Sequence, residues 1–315
     1  MKKKKLSLND VVMISAFLGV VLVGAILNSR FLSIQNILSV FQQMSEMGIM
    51  TLGLTVVILI GGIDLSCGSI MGLCAVVSGI CLTSGISTFL VIIISLSIAV
   101  IAGICNGFFV AVIRIPPMIA TLGTQMLLFG LALILSKGNS ISGIPQSFYF
   151  LGQSKIVGIP IQAHIFILTW LVLIVLLKKK KFGKSLYILG NNEKAAKYSG
   201  IQTVKVTIYA YVICAVLSAI AGNIQVSRVA TARADMGSTF IMQCISAIVL
   251  GGTSMNGGIG GVTGSVIGIM IFAMIGNIMN LVGITSFWQQ LATGSILIIV
   301  IVFNRIIEMR KMKVK

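Results

Sequence analysis

The chain has 315 residues, of which 57% are hydrophobic and 9% are charged, and its mean hydropathy is +1.10. Soluble proteins carry about 25% charged residues, so this composition excludes a soluble domain and predicts an all-α polytopic membrane protein. The formal net charge of +17 would suit a nucleic acid. However, the basic residues cluster at the ends of apolar runs, which is the pattern of membrane topology. We therefore expect contact with membrane lipid and no nucleic-acid partner.

Ten apolar runs in the chain are candidates for membrane spans. The first follows a basic stretch, as in a signal peptide, but its apolar run is too long for one and no small-residue cleavage site follows, so we expect a retained span. The run at 240–254 is the shortest and the least secure. The predicted spans are 10–28, 47–63, 68–84, 87–112, 118–136, 161–177, 205–226, 240–254, 260–281 and 287–304.

The distribution of basic residues predicts the orientation of these spans. With ten spans and the N-terminus in the cytoplasm, 18 of the 23 lysines and arginines fall on the cytoplasmic side and five on the outer side. Removing one span would place either the basic segment 178–205 or the basic tail outside, against the positive-inside rule. We expect both termini in the cytoplasm, and a single transmembrane domain over residues 1–315.

The segment 178–205 is the longest polar stretch and lies between predicted spans six and seven. It contains a short helix pattern over 191–200: Asn191 and Asn192 suit the N-cap, and Glu193 places an acid in the first turn. Gly200 suits the position after the C-cap, and Ala195 and Ala196 lie between them. So short a helix is marginal on its own in water, which indicates a docking element on the cytoplasmic face.

A glycine-rich stretch interrupts the apolar sequence between predicted spans two and three. It reads GGIDLSCGS and contains an acidic residue that would be costly in the middle of a membrane. Either it is a tight turn at the cytoplasmic face with a solvated carboxylate, or it is a broken, re-entrant segment beside a translocation path. The residues of this candidate path or gating motif are Gly61, Gly62, Asp64, Ser66 and Gly68. A weaker echo, Leu250-Gly251-Gly252 with a later Gly264-Ser265, is consistent with an internal duplication.

Two arginines, Arg228 and Arg233, fall on the outer side, which is otherwise depleted of basic residues. Their position there opposes the orientation bias, so we expect either simple solvation or pairing with an acidic partner.

The chain carries no recognisable catalytic or energy-coupling chemistry. It has no phosphate-binding G-x-x-x-x-G-K-[ST] loop, no H-E-x-x-H motif and no histidine–carboxylate pair, and its six cysteines form no C-x-x-C. We expect no bound metal or cofactor and no enzymatic activity. A transporter with so few ionisable groups in the membrane is expected to take its energy from a partner.

Several motifs together give the chain a family resemblance that covers nearly its whole length. The sequence resembles the permease subunit of ribose-type ABC sugar importers, with one mild departure at Cys67, where that family usually has a small apolar residue. The motifs, in order, are LIGGIDLS (59–66) with Gly68-Ser69, IATLG (119–123), LGNNEKAA (189–196) with Ser199-Gly200-Ile201, and LGGTS (250–254) with Gly257-Gly258.

The resemblance implies a multi-pass protein of the bacterial cell membrane that works with several partners. These are a second permease copy or paralogue, a cytoplasmic ATP-binding subunit that uses ATP, and an extracytoplasmic sugar-binding protein. The binding protein would face Arg228 and Arg233. The ATP-binding subunit would contact the polar segment through Gly190, Asn191, Asn192, Glu193, Ala195, Ala196, Ser199 and Gly200.

The expected cargo is a ribose-like pentose or a hexose, and related permeases also carry nucleosides or furanosyl signalling molecules. The alternative from another class is an ion-coupled secondary transporter of a small polar solute, with Asp64 as the coupling group.

Overall fold

The computed structural model describes residues 8–285, 287–296, 298–299 and 302. The basic residues Lys2–Lys5 and the tail from Arg305 lie outside the described residues, as does part of the tenth predicted span, of which 287–296 is helical. The helices are α1 (Leu8–Leu27), α2 (Ile34–Leu59), α3 (Cys67–Thr83), α4 (Thr88–Ala111), α5 (Pro117–Ser136), α6 (Phe150–Gln153), α7 (Ile161–Lys179), α8 (Lys181–Asn191), α9 (Glu193–Tyr198), α10 (Thr203–Val229), α11 (Phe240–Leu250) and α12 (Val262–Leu281).

The all-α, multi-pass architecture is confirmed at the level of individual helices. Among the described residues, five helices are long and apolar enough to cross a membrane: α4, α5, α7, α10 and α12. A hairpin of two-residue strands, Lys155–Ile156 and Ile159–Pro160, stands in the long connection between α5 and α7. A helix therefore lies at each predicted span within the described residues, although several bounds differ.

Helix α2 forms the centre of the bundle and starts 13 residues earlier than the predicted span at 47. Its N-cap is Ser33, whose hydroxyl accepts a hydrogen bond from the Asn36 amide at 3.3 Å. The first half of the helix carries three glutamines, Asn36 and Ser39, so a search for apolar runs does not find it. The second half, from Met44 to Leu59, is buried throughout and packs against α7, α10, α11 and α12.

Helix α11 has only 11 residues, about 16 Å of helix, which is roughly half of a ~30 Å hydrocarbon core. The non-helical residues before it lie along α3: a Cβ on Gly79 would lie 2.7 Å from Ala232, and one on Gly68 would lie 2.7 Å from the Gly237 carbonyl. The predicted span 240–254 is therefore the helical half of a longer, discontinuous passage through the bundle.

Candidate functional site

Helix α2 ends in a turn that places the GGIDLSCGS motif inside the helix bundle. Gly61 adopts a left-handed conformation, φ +80°, and the amides of Gly61 and Gly62 bond back to carbonyls in the last turn of α2. A left-handed residue is most easily a glycine. A Cβ on Gly62 would lie 2.9 Å from the Tyr211 hydroxyl, so this position also requires a glycine for space.

Side chains from α4 and α5 hold this turn from both sides. Thr121 donates to the Ile63 carbonyl at 3.0 Å and accepts from the Leu65 amide at 3.1 Å. Asn106 donates to the Ser66 hydroxyl at 2.7 Å. Thr121 lies four residues inside α5 and Asn106 five residues inside α4, so the turn is held about 6–8 Å inside the ends of those helices.

Asp64 is fully buried in this turn, with one oxygen bonded and the other free. Its Oδ1 accepts from the Ser66 amide at 2.9 Å and from the Ser66 hydroxyl at 2.6 Å, while Oδ2 has no partner among the described residues. The prediction of a solvated carboxylate in a surface turn is therefore wrong. The structure instead contains a broken segment inside the bundle. Ser66 occupies the N-cap of α3, but its hydroxyl donates to Asp64 instead of accepting from the helix.

The end of α8 lies in a junction made of glycines from three segments. The Gly258 amide donates to the Leu59 carbonyl, the last residue of α2, at 2.9 Å. Gly190 lies between them: a Cβ there would overlap the Leu59 carbonyl and lie 2.5 Å from the Gly258 nitrogen. A Cβ on Gly257 would lie 2.6 Å from the Gly61 nitrogen. Gly61 and the pair Gly257-Gly258 thus meet, and Gly190 of α8 lies against both segments. The internal duplication, which compared Gly61-Gly62 with Gly251-Gly252, stays a prediction.

Two side chains of α8 bond to the loop between α11 and α12. The Tyr187 hydroxyl donates to the Gly260 carbonyl at 3.0 Å, and Asn191 donates to the Gly258 carbonyl at 3.4 Å. Burial raises the pKa of the Tyr187 hydroxyl, so it stays protonated and able to donate. Movement of α8 would therefore pull on the connections α2–α3 and α11–α12 together.

Helix α9 has the caps that the sequence predicted, and it is shorter than the predicted 191–200. Asn192 is the N-cap and its side chain accepts from the Ala195 amide at 3.0 Å. Gly200 follows the C-cap with φ +75°, and the amides of Gly200 and Ile201 bond to the Lys197 and Ala196 carbonyls, which is a Schellman motif. Asn191 belongs to α8 instead, a helix that we did not predict.

The faces of α9 separate residues that pack inward from residues that are open to a partner. Ala196 is fully buried within this chain, so its side chain presents no surface to a partner, contrary to its expected role in an intermolecular contact. Ala195 and Ser199 are exposed, and Tyr198 is 93% exposed. Glu193 pairs with Lys197 at 2.7 Å, one turn apart. Docking of a partner on this face stays a prediction, and Tyr198 is the exposed aromatic side chain that α9 would offer to it.

At the opposite end of α10, Arg228 forms an ion pair with Glu46 of α2. The Nε–Oε1 distance is 2.5 Å and the Nη2–Oε2 distance is 3.1 Å, with the glutamate side chain fully buried and the arginine side chain 28% exposed. The acidic partner expected for Arg228 therefore lies within the chain. Contact with a binding protein stays a prediction for this residue.

Arg233 also pairs within the chain, with Asp235 at 2.6–2.9 Å, and both side chains are about half exposed. The residue between them, Ala234, packs its carbonyl against Gly72 in the second turn of α3. The ion pair thus lies beside the middle of the bundle, on the non-helical part of the discontinuous passage. The outer position of Arg233 and its contact with a binding protein stay predictions.

A family model described as a branched-chain amino acid transport system permease component matches residues 36–302, which is most of the chain. The match includes the broken α2–α3 segment, α8, α9 and the discontinuous passage. The chain belongs to this permease family. It is accordingly a multi-pass component of a membrane transport system.

Individual relatives agree with this assignment along almost their whole length. The chain is 37% identical over 294 residues to the ribose import permease protein of Bacillus subtilis, covering 92% of this chain and 91% of that protein. It is 31% identical to the Escherichia coli K12 ribose import permease protein, with the same coverage. It is 32% identical to an autoinducer 2 import system permease protein of Escherichia coli SMS-3-5, covering 92% and 86%. No solved structure matches.

Proposed function

We propose that the chain is the membrane-spanning subunit of an ATP-driven importer for a ribose-like pentose or a hexose in the cell membrane of a bacterium. The observation that carries this proposal is the 37% identity to a ribose import permease over 92% of the chain. The autoinducer 2 permeases, at 31–32% identity, make a furanosyl signalling molecule the second candidate cargo.

The geometry supports the assignment of two opposite faces of the bundle to different partner proteins. The face that carries α8 and α9 is the cytoplasmic face, where the basic residues concentrate. A separate ATP-binding subunit docks there on Asn192, Glu193, Ala195, Tyr198 and Ser199, and hydrolyses ATP. Ten spans place both termini on this side, and a second permease completes the membrane part.

Coupling runs through the glycine junction. A shift of α9 moves α8, because Asn191 and Asn192 join the two helices directly. Helix α8 then displaces the C-terminal end of α2 and the α11–α12 loop, which it touches through Gly190 and Asn191. Those two connections lead into the broken segments of the bundle, where unwound backbone is tolerated because it lines a cavity or packs in protein.

The cargo path follows the discontinuous passage before α11. The Arg233–Asp235 pair supplies donors and acceptors that are half exposed beside α3, which suits hydroxyl-rich cargo. An extracytoplasmic binding protein delivers the sugar at the far end, near the Glu46–Arg228 pair.

Purification in mild detergent from native membranes, with mass spectrometry of the proteins that copurify, tests the docking face. Ala195→Trp and Tyr198→Ala should each reduce the recovered ATP-binding subunit, because both alter the exposed face of α9. Val157→Ala is the matched control, since Val157 is 94% exposed in the hairpin between α5 and α7. Recovery of the same amount of ATP-binding subunit with all three variants would contradict this docking face.

A further inference from the structure

A pocket of about 420 Å³ lies on the α8–α9 face beside the broken α2–α3 segment. Its walls are Gly61–Gly62, the α4–α5 connection, the N-terminus of α10 and the helix α9. This volume falls in the range of pockets that hold small organic ligands, about 300–1,000 Å³, and exceeds what a simple ion needs.

The lining of the pocket carries more positive than negative charge. Arg114, Lys194, Lys197 and Glu193 contribute to its lining. Glu193 and Lys197 neutralise each other, whereas Arg114 and Lys194 have no ion-pair partner among the described residues. Two cationic side chains without an ion-pair partner, from different segments, therefore line one cavity.

The N-terminus of α10 adds hydrogen-bond donors to the same cavity. Thr203 and Val204 line it, and the N-cap residue Gln202 makes no capping bond with its side chain. Within the described part of the chain, the first-turn amides of Val204 and Lys205 have no acceptor. Free amides and the positive end of the helix dipole, at the start of a 27-residue helix, favour an anion.

A buried hydroxyl in the lining of the pocket also lacks a partner. Tyr211 is fully buried and lines the cavity, and its hydroxyl has no hydrogen-bond partner in the described residues. Buried hydroxyls are normally hydrogen-bonded, so this unused donor is available for an oxygen of a ligand. Arg114 itself has φ +64°, a conformation unusual for a residue with a side chain, and such strain concentrates at functional positions.

We propose that this pocket binds a small molecule carrying a phosphate group. Arg114 and Lys194 balance the charge, the α10 amides and the Tyr211 hydroxyl donate to the phosphate oxygens, and the remaining volume accepts an organic part the size of a sugar. A ligand held there would tie α9 to the α4–α5 connection, so occupancy would restrain the element that the proposed function assigns to coupling. The binding itself does not rest on that function.

Calorimetric titration of the purified full chain in phosphatidylcholine nanodiscs tests the site without any transport measurement. The probes are a pentose 5-phosphate, inorganic phosphate and the unphosphorylated pentose. The phosphorylated sugar should bind saturably, inorganic phosphate more weakly, and the free pentose not at this site. Arg114→Gln should weaken binding about tenfold or more, since a charge-assisted hydrogen bond contributes roughly 1.5–3 kcal/mol.

Two further variants separate the site from general electrostatics and from misfolding. Tyr211→Phe, which removes only the unpaired hydroxyl, should weaken binding several-fold without lowering the thermal midpoint. Lys180→Gln removes the same charge from an exposed position outside the pocket and should leave the affinity unchanged. Equal weakening by Arg114→Gln and Lys180→Gln, or no saturable binding of any phosphate probe, would overturn the proposal.

Nanodiscs that contain phosphatidylglycerol distinguish a soluble phosphate compound from a lipid headgroup. Competition by phosphatidylglycerol that disappears in Arg114→Gln would support the site and identify the headgroup phosphate as its source. Undiminished binding of the sugar phosphate in these nanodiscs would support the site with a soluble ligand.

Discussion

At the scale of single residues, the buried ion pair between Glu46 and Arg228 is the clearest case of a partner that lies far away in the sequence. The two residues are 182 positions apart, and the sequence left open whether Arg228 is solvated or pairs with an acidic residue. Which of the chain's six acidic residues it would be depends on how α2 and α10 pack, because the pairing follows from tertiary structure. The burial of Asp64 was undecidable for the same reason: Asn106 and Thr121, which enclose its turn, are distant in the chain.

Removal of one member of the Glu46–Arg228 pair should destabilise the protein strongly. Arg228→Ala leaves a fully buried carboxylate without its cation, which costs about 3–5 kcal/mol. The double variant Glu46→Gln with Arg228→Met removes both charges and should recover most of that loss. Thermal unfolding in detergent, followed by circular dichroism, measures both effects.

Arg233→Ala provides the comparison for this prediction. Its pair with Asp235 is half exposed on both sides, and such pairs contribute at most about 1 kcal/mol. A thermal midpoint that falls as much for Arg233→Ala as for Arg228→Ala would contradict the distinction between the buried and the exposed pair.

At the scale of elements, the sequence predicted α9 with its caps and missed α8. The signals for α9 are local: an asparagine N-cap, an acid in the first turn and a glycine after the C-cap. For α8, a helical pattern was present in Phe182, Leu186 and Leu189, spaced by four and three, but the surrounding lysines and glycines concealed it. The sequence of α11 was ambiguous, because the length of an apolar run does not distinguish a helix that crosses half of the membrane from one that crosses all of it.

Because Gly190 of α8 lies against Leu59 and Gly258, adding one methyl group at Gly190 should impair transport. In Gly190→Ala, the new Cβ would overlap the Leu59 carbonyl and force α8 away from α2 and Gly258. We expect loss of sugar uptake in cells, with the protein still inserted in the membrane at the normal level. Uptake of labelled ribose by cells that depend on this permease is the measurement.

Gly130→Ala is the control for the methyl group itself, because nothing lies within 4 Å of the position where its Cβ would be. Alanine also favours helix over glycine by about 1 kcal/mol, so this variant should keep full uptake. Normal uptake by Gly190→Ala would contradict the coupling role of the junction.

At the scale of the whole molecule, composition was sufficient for the class of protein, and the motif set was sufficient for the family. Hydropathy located a helix at each predicted span within the described residues, because lipid-facing helices are apolar along their length. It could not reveal that α2 is longer or that the passage through α11 is discontinuous. The longer α2 and the discontinuous passage both contain polar groups that find their partners only when the helices pack together. The internal contacts of the site, such as Tyr187 with Gly260, likewise required the assembled bundle.

We propose that this chain moves sugar only under the control of an ATP-binding partner. The most direct test is uptake of labelled ribose into proteoliposomes that contain the chain alone, or the chain with the ATP-binding subunit and binding protein that copurify with it. We predict uptake only when both partners and hydrolysable ATP are present, and none under a sodium or proton gradient alone. Uptake by the chain alone, driven by an ion gradient and lost in Asp64→Asn, would contradict the account and assign the protein to ion-coupled transport.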